Sequence, residues 1–161
     1  MMFKKTNNIL LVFLFFIIST SLIAAFIIQY GLGHQPCKLC IYQRIPHILS
    51  IFLIIELIFF KKSEKTTLLL LSLIFFVSTI LAFYHFGIEQ GFFTESFMCE
   101  STSFSETLTK DQLLEQLKKN PISCKDVSFK VLGFSLASIN VIFSLILSVI
   151  FIRLFLNYGK N

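Results

Sequence analysis

Apolar residues run along this chain in four long stretches, with the polar residues gathered between them. Residues 9–28, 66–86 and 131–152 contain no charged side chain, and residues 41–60 form an equally long run that carries Arg44, Pro46, His47 and Glu56. Each is about the 20 residues a helix needs to cross a bilayer. Strands of a membrane barrel are shorter and alternate in polarity. The pattern therefore predicts an all-α integral membrane protein, one four-helix domain over 1–161. Its spans lie at about 9–28, 41–60, 66–86 and 131–152, with two outward loops at 29–40 and 87–130. Lys4 and Lys5 before the first run, and Ala24 and Ala25 near its end, have the look of a cleavable signal. The run exceeds the 7–15 residues of a typical signal core, so an uncleaved span is expected.

Composition narrows the class. Of 161 residues, 55% are hydrophobic and 14% charged, with 21 Phe and no Trp. A soluble domain carries roughly 25% charged residues. This chain cannot cover a water-facing surface, which excludes a soluble enzyme as well as a disordered or collagen-like chain. The formal charge of +5 does not point to nucleic acid, because the 14 Lys and Arg residues sit in short groups between the apolar runs. Lys4, Lys5, Lys61, Lys62, Lys65, Arg153 and Lys160 fall in the short segments on one side of a four-span layout. By the positive-inside rule both termini are expected in the cytoplasm. All four cysteines then fall on the opposite side, in or beside the outward loops, where disulfides persist.

The second outward loop has internal pattern. Thr109, Lys110, Asp111 and Gln112 match a capping box, and Leu113, Leu114 and Leu117 give a short apolar edge before Pro121. This predicts a short amphipathic helix, either lying on the membrane surface or packed as a solvated helix on the bundle.

The candidate chemistry centres on cysteine. Cys37 and Cys40 follow Pro36 and lead into the second span, at a spacing that serves either one disulfide or half of a zinc site. Cys40 is expected in the first helical turn, where free N–H groups and the helix dipole would stabilise a thiolate. Arg44 lies four residues on, one turn along the same face, with Gln43 and His47 extending it. It reads either as an interfacial arginine touching lipid phosphate or as a cation beside the Cys40 thiolate and an anionic acceptor. Cys99 and Cys124 form a second candidate pair in the long loop. As a fixed staple it would contribute about 3–4 kcal/mol in the chain-entropy model, and as a redox pair it would relay oxidising equivalents by thiol–disulfide exchange. His85 closes the third span, as an interfacial ring or a ligand-binding group, and Glu56 reads as an interfacial carboxylate near Lys61 and Lys62. His34 and Tyr30 in the first loop have no assigned role.

The run Cys37, Lys38, Leu39, Cys40, Ile41, Tyr42, Gln43 and Arg44 resembles the Cys-x-x-Cys motif and following arginine of the disulfide bond formation protein B (DsbB) family. The stretch from Tyr84 to Glu89 and the later Cys99 resemble that family's third helix and second loop, and the likeness extends over nearly the whole chain. It implies an inner-membrane thiol oxidase that reoxidises a periplasmic thioredoxin-like (DsbA-like) dithiol oxidase and passes the electrons to ubiquinone or menaquinone. It also implies redox pairs Cys37–Cys40 and Cys99–Cys124. On that implication Cys99 engages the partner, Cys37 exchanges with the loop pair, and the Cys40 thiolate faces the quinone. Arg44 and His85 fall at the quinone site, and no resident metal is implied. Lys38 within the motif and the sequence around Cys99 depart from the family.

Two other functions fit parts of the pattern. A quinone or quinone-epoxide reductase would run thiol oxidation toward a quinol product, but the Cys-x-x-Cys then belongs near the C-terminal span. A non-enzymatic metal-binding or disulfide-stapled membrane protein would gather Cys37, Cys40, Cys99 and Cys124, with His34 or His85, around zinc. Against it stand the wide spacing of the second cysteine pair and an oxidising compartment that competes for the thiols.

Overall fold

A computed structural model describes residues 8–60, 63–94, 123–125, 129–131 and 133–158. Among these, four helical segments are long and apolar enough to cross a membrane: Asn8–Gly31, Lys38–Phe59, Glu64–Glu89 and Leu136–Asn157. The protein is an all-α, multi-pass membrane protein, as the apolar pattern predicts. Helix α1 (Asn8–Phe26) ends in a π-helical turn, Ile27–Gly31, which carries the first span past residue 28. Helices α2 (Lys38–Tyr42) and α3 (Arg44–Phe59) share the second span. Their break has a covalent cause. Pro46 has no N–H to donate to the Tyr42 carbonyl, so the ladder is interrupted there and proline occupies the first turn of α3.

Helix α4 (Glu64–Glu89) is longer than the expected 66–86, because it takes in Glu64 at one end and Gly87, Ile88 and Glu89 at the other. The fourth span was expected from residue 131 and begins later. A two-strand hairpin, β1 (Lys130–Val131) against β2 (Phe134–Ser135), pairs Lys130 with Ser135 and Val131 with Phe134. Gly133 at φ +88° supplies the left-handed turn conformation. Ser135 then caps helix α5 (Leu136–Asn157), accepting the Ser138 N–H at 3.2 Å. Arg153, counted beyond the span from sequence, lies in its last turns. The expected amphipathic helix around Leu113–Leu117, together with Cys99, Lys4, Lys5, Lys61 and Lys62, falls outside the described residues.

Lipid tails are as apolar as leucine, so helices in a bilayer associate through packing and polar contacts rather than by escaping solvent. Helices α4 and α5 follow this rule. Ser72 Oγ donates to the Ser148 carbonyl at 3.4 Å and Ser148 Oγ to the Ser72 carbonyl at 3.2 Å. Ser78 and Ser144 meet at 3.1 Å. The apolar core joins Leu11, Leu14 and Ile18 of α1, Ile54 and Leu57 of α3, Leu68, Leu71 and Phe75 of α4, and Leu147 and Phe151 of α5. Phe13, Phe16, Phe52, Phe76 and Phe83 face outward, as lipid-facing positions do. At the end of the bundle away from the cysteines, the Glu56 carboxylate accepts from Thr67 at 2.9 Å and Ser63 at 3.5 Å.

Phe75 is fully buried, stacks on Phe151 at 5.7 Å and meets the edge of His47 at 5.6 Å. Phe75→Ala is expected to lower stability by roughly 3–5 kcal/mol, mostly through the cavity it leaves. Reversible unfolding in detergent would check this, and a loss under ~1 kcal/mol would show that the ring is not a packing keystone.

Candidate functional site

The site is assembled at the start of α2. Cys37 adopts an extended backbone (φ −68°, ψ 167°) and occupies the N-cap position, where its sulfur accepts the Cys40 backbone N–H at 3.3 Å. A free helix donor that serine or aspartate would ordinarily satisfy is thus met by sulfur. The one-turn spacing brings the two sulfurs to 3.0 Å, and both cysteines are free thiols. Cys37 is 4% exposed, so the pair is nearly closed off from solvent on that side.

Helix α4 contributes the next groups. His85 Nε2 lies 3.5 Å from Cys37 Sγ, and Glu89, one turn further, brings Oε1 to 3.7 Å from the same nitrogen. The other Glu89 oxygen is buried without a hydrogen-bond partner among the described residues. On its far side the His85 ring meets Gln43, whose Nε2 stands 3.0 Å from Nδ1. Asn140 of α5 donates to Gln43 Oε1 at 2.9 Å.

The Cys37 thiol is strongly perturbed. Its hydrogen bond with Cys40 holds it far below its ordinary 9.0, at about 4; the hydrogen bonds from His85 and the Cys40 amide act in the same direction, and burial opposes them. The helix-start effect expected for Cys40 is thus delivered to Cys37. The reason is geometric: Cys37 is the cap that accepts, and Cys40 supplies the donating amide.

A cavity of about 390 Å³ opens beside the pair. Its walls are mostly apolar, including Leu22, Ala25, Ile28, Ile139 and Phe143, and Cys40, Arg44, His85 and Glu89 supply convergent polar groups. This size and character suit a small ring compound. Arg44 lines the cavity but turns toward α1, donating to Gln29 Oε1 and to the Ala25 carbonyl at 3.5 Å, with its guanidinium 5.0 Å above the Phe26 ring. The sequence placed Arg44 beside Cys40 on one unbroken helix. The break at Gln43 makes Arg44 the first residue of α3, and its partners lie on the preceding span.

The remaining candidates separate. His47 is buried and lines the cavity, bonded through Nδ1 to the Gln43 carbonyl at 3.0 Å and stacked on Phe143 at 5.8 Å. His34 lines the cavity beside Phe129, and Tyr30 is exposed, stacked on Phe26. Cys124 is disulfide-bonded and buried, and it joins Cys37, Leu39 and Ile88 in one small cluster. A disulfide sulfur offers no thiolate ligand, so Cys124 as it stands does not serve a zinc site, while the ligand atoms of Cys37, Cys40 and His85 lie within 4.8 Å of one another. Sequence reasoning missed Gln29, Glu89 and Asn140. Asn140 carried a legible signal, as an amide inside an apolar span is costly and marks a site by default.

Fold and site together define a class: a multi-pass membrane protein built around a buried, activated dithiol at a helix start, beside a third cysteine that is disulfide-bonded. The chain belongs to the DsbB family. The model of that family, "Disulfide bond formation protein DsbB", matches residues 7–154. The Rickettsia prowazekii (strain Madrid E) protein named "Uncharacterized protein RP370" is 30% identical over 161 residues, covering 99% of this chain and 91% of that one. Membership makes this chain an oxidoreductase of disulfide formation.

Proposed function

We propose that this protein is a bacterial inner-membrane thiol oxidase. It reoxidises a periplasmic, thioredoxin-like dithiol oxidase and passes the electrons to a membrane quinone, with both its termini in the cytoplasm. The observation that carries this reading is the Cys37–Cys40 dithiol opening on an apolar cavity whose polar groups include Arg44 and His85. A quinone supplies a two-electron, two-proton acceptor soluble in lipid, and its head must be met near the membrane edge. The residues fit such a group: apolar walls suit the ring and the guanidinium suits its oxygens, while His85 lines the cavity with both ring nitrogens facing protein groups.

Cys99 is assigned as the partner-facing cysteine and Cys124 as its disulfide mate. In support, Cys124 is disulfide-bonded while Cys37 and Cys40 are both free thiols. The partner's thiolate attacks Cys99 and releases Cys124 as a thiolate, which attacks Cys37 of the oxidised Cys37–Cys40 pair and releases Cys40 toward the cavity. The partner's second thiol then closes its own disulfide and frees Cys99, whose thiolate attacks Cys124 and releases Cys37, restoring the loop disulfide and leaving the Cys37–Cys40 pair reduced. The shared buried cluster of Cys37 and Cys124 supports this exchange. Over a full cycle two partner thiols become one disulfide, and the quinone takes up two electrons and two protons.

The test is anaerobic mixing of the purified protein with a reduced thioredoxin-like dithiol and a ubiquinone analogue, following quinone absorbance. Cysteine-dependent loss of oxidised quinone is expected. No quinone reduction by folded, cysteine-intact protein would overturn the reading. Arg44→Ala is expected to weaken quinone use about tenfold, the scale of one charge-assisted hydrogen bond, while exchange with the dithiol continues. Unchanged quinone kinetics in that variant would remove Arg44 from the acceptor site.

A further inference from the structure

His85 sits between two sets of groups that agree on where its proton belongs. Its Nε2 faces two acceptors, Cys37 Sγ at 3.5 Å and Glu89 Oε1 at 3.7 Å. Its Nδ1 faces the Gln43 side-chain amide nitrogen at 3.0 Å. An amide nitrogen only donates, so Nδ1 must be the accepting nitrogen and Nε2 the protonated one. An amide can rotate, and the two acceptors at Nε2 decide which way it points: they call for a proton there, which leaves Nδ1 to accept from the amide. Gln43 Oε1 is engaged by Asn140 Nδ2 at 2.9 Å, and Asn140 Oδ1 accepts from Ser144 Oγ at 3.2 Å. Ser144 meets Ser78 at 3.1 Å, which anchors the chain in the α4–α5 interface. Each member donates to the next, from Ser144 through Asn140 and Gln43 to His85 and then to Cys37.

We infer that Gln43 and Asn140 are positioning residues that hold His85 in the Nε2–H form, so that its N–H is aimed at the Cys37 sulfur. The chain runs through buried groups: Gln43 is 7% exposed and His85 2%. In so apolar a setting a half-satisfied amide would be costly, which gives the pair a single preferred orientation. The titratable groups around the ring are Cys37 and Cys40 from the start of α2, Glu89 on α4 and, acting on Glu89, Lys130 of β1. Arg44 and His34 line the same cavity, with the Arg44 guanidinium turned toward α1. The Gln43–Asn140 pair adds no charge. It sets which ring nitrogen meets the thiol, and so lowers the barrier to Cys37 acting as attacking or departing thiolate.

The inference rests on Cys37 being an exchanging thiol, but its test uses neither quinone nor partner, so it fails separately from the proposed function. In anaerobically reduced, histidine-¹⁵N-labelled protein, the long-range ¹H–¹⁵N pattern of His85 is expected to be that of the Nε2–H tautomer. Gln43→Leu and Asn140→Leu are both expected to admit the Nδ1–H form. The pH midpoint for Cys37 alkylation by iodoacetamide should rise by about one unit in Gln43→Leu, a ~10-fold loss of thiolate below the midpoint, and by less in Asn140→Leu. Trypsin cleaves after Lys38 and so separates Cys37 from Cys40 for mass measurement.

Gln43→Glu separates tautomer control from packing. A carboxylate facing Nδ1 stabilises a doubly protonated ring, which still donates to Cys37, so this variant should leave the midpoint in place or lower it. Equal upward shifts in Gln43→Leu and Gln43→Glu would overturn the inference. So would a wild-type ring with its proton on Nδ1.

Discussion

Cys40→Ser is expected to reduce thiol-dependent quinone reduction by ~10³-fold or more, the scale on which enzymes lose activity when an essential nucleophile is removed. Cys37→Ser is expected to match it, because the two sulfurs, 3.0 Å apart, act as one unit and a serine oxygen cannot close the disulfide. The useful contrast is with Cys124→Ser. If the loop pair is a relay, this variant loses turnover with a protein dithiol but keeps much of it with a small dithiol able to reach the Cys37–Cys40 disulfide directly. If the loop pair is only a staple, Cys124→Ser affects both reductants alike, in proportion to lost folded protein. The measurement is quinone absorbance under anaerobic conditions with each reductant in turn. Substantial turnover by Cys40→Ser would remove Cys40 from the path to the acceptor.

Fold class could be read from the chain because a bilayer allows few solutions. A run of about 20 apolar residues must be a helix there, since it alone satisfies its own backbone. The boundaries were less legible, because polar residues at span ends do not interrupt a helix that has a cap or a partner. Glu64 and Glu89 extend α4, and Lys38 begins α2 because the Cys37 sulfur caps it. At the fourth span the missed signals were local: Gly133 for the turn and Ser135 for the cap.

The site divides in the same way. Cys37, Cys40, Arg44 and His85 could be selected by type, spacing and position, and all four line one cavity. What the spacing could not show is direction. The i, i+4 relation of Cys40 and Arg44 assumed one unbroken helix, and the Pro46 break sends Arg44 to Gln29 instead. Asn140 lies 97 positions from Gln43, so their bond exists only once α5 is packed against the start of the second span.

Cys37, at about 4, is almost fully ionised from pH 6 upward, whereas a thiol at 9.0 gains ~10²–10³-fold in thiolate between pH 6 and pH 9. Alkylation of Cys37 in the reduced protein is therefore expected to be nearly flat over that range, while an ordinary thiol accelerates steeply. Its rate at pH 6 should exceed that of an ordinary thiol only modestly, since a thiolate of low pKa is also a weaker nucleophile. The profile, more than the absolute rate, carries the information.

Linkage gives the sign for the redox couple. The folded dithiol has a depressed pKa, so the thiolate stabilises the reduced folded state fully above pH 9, progressively less as pH falls, and not below about 4. Oxidised protein has no such thiol to titrate. Between pH 5 and 8 reduction of the disulfide then takes up one proton for two electrons, and the potential should fall by ~30 mV per pH unit instead of ~60. A glutathione or dithiothreitol titration at three pH values would measure the slope. A slope of ~60 mV per unit, together with alkylation that rises steeply from pH 6 to pH 9, would show that Cys37 is an ordinary thiol and that the cap and His85 do not activate it.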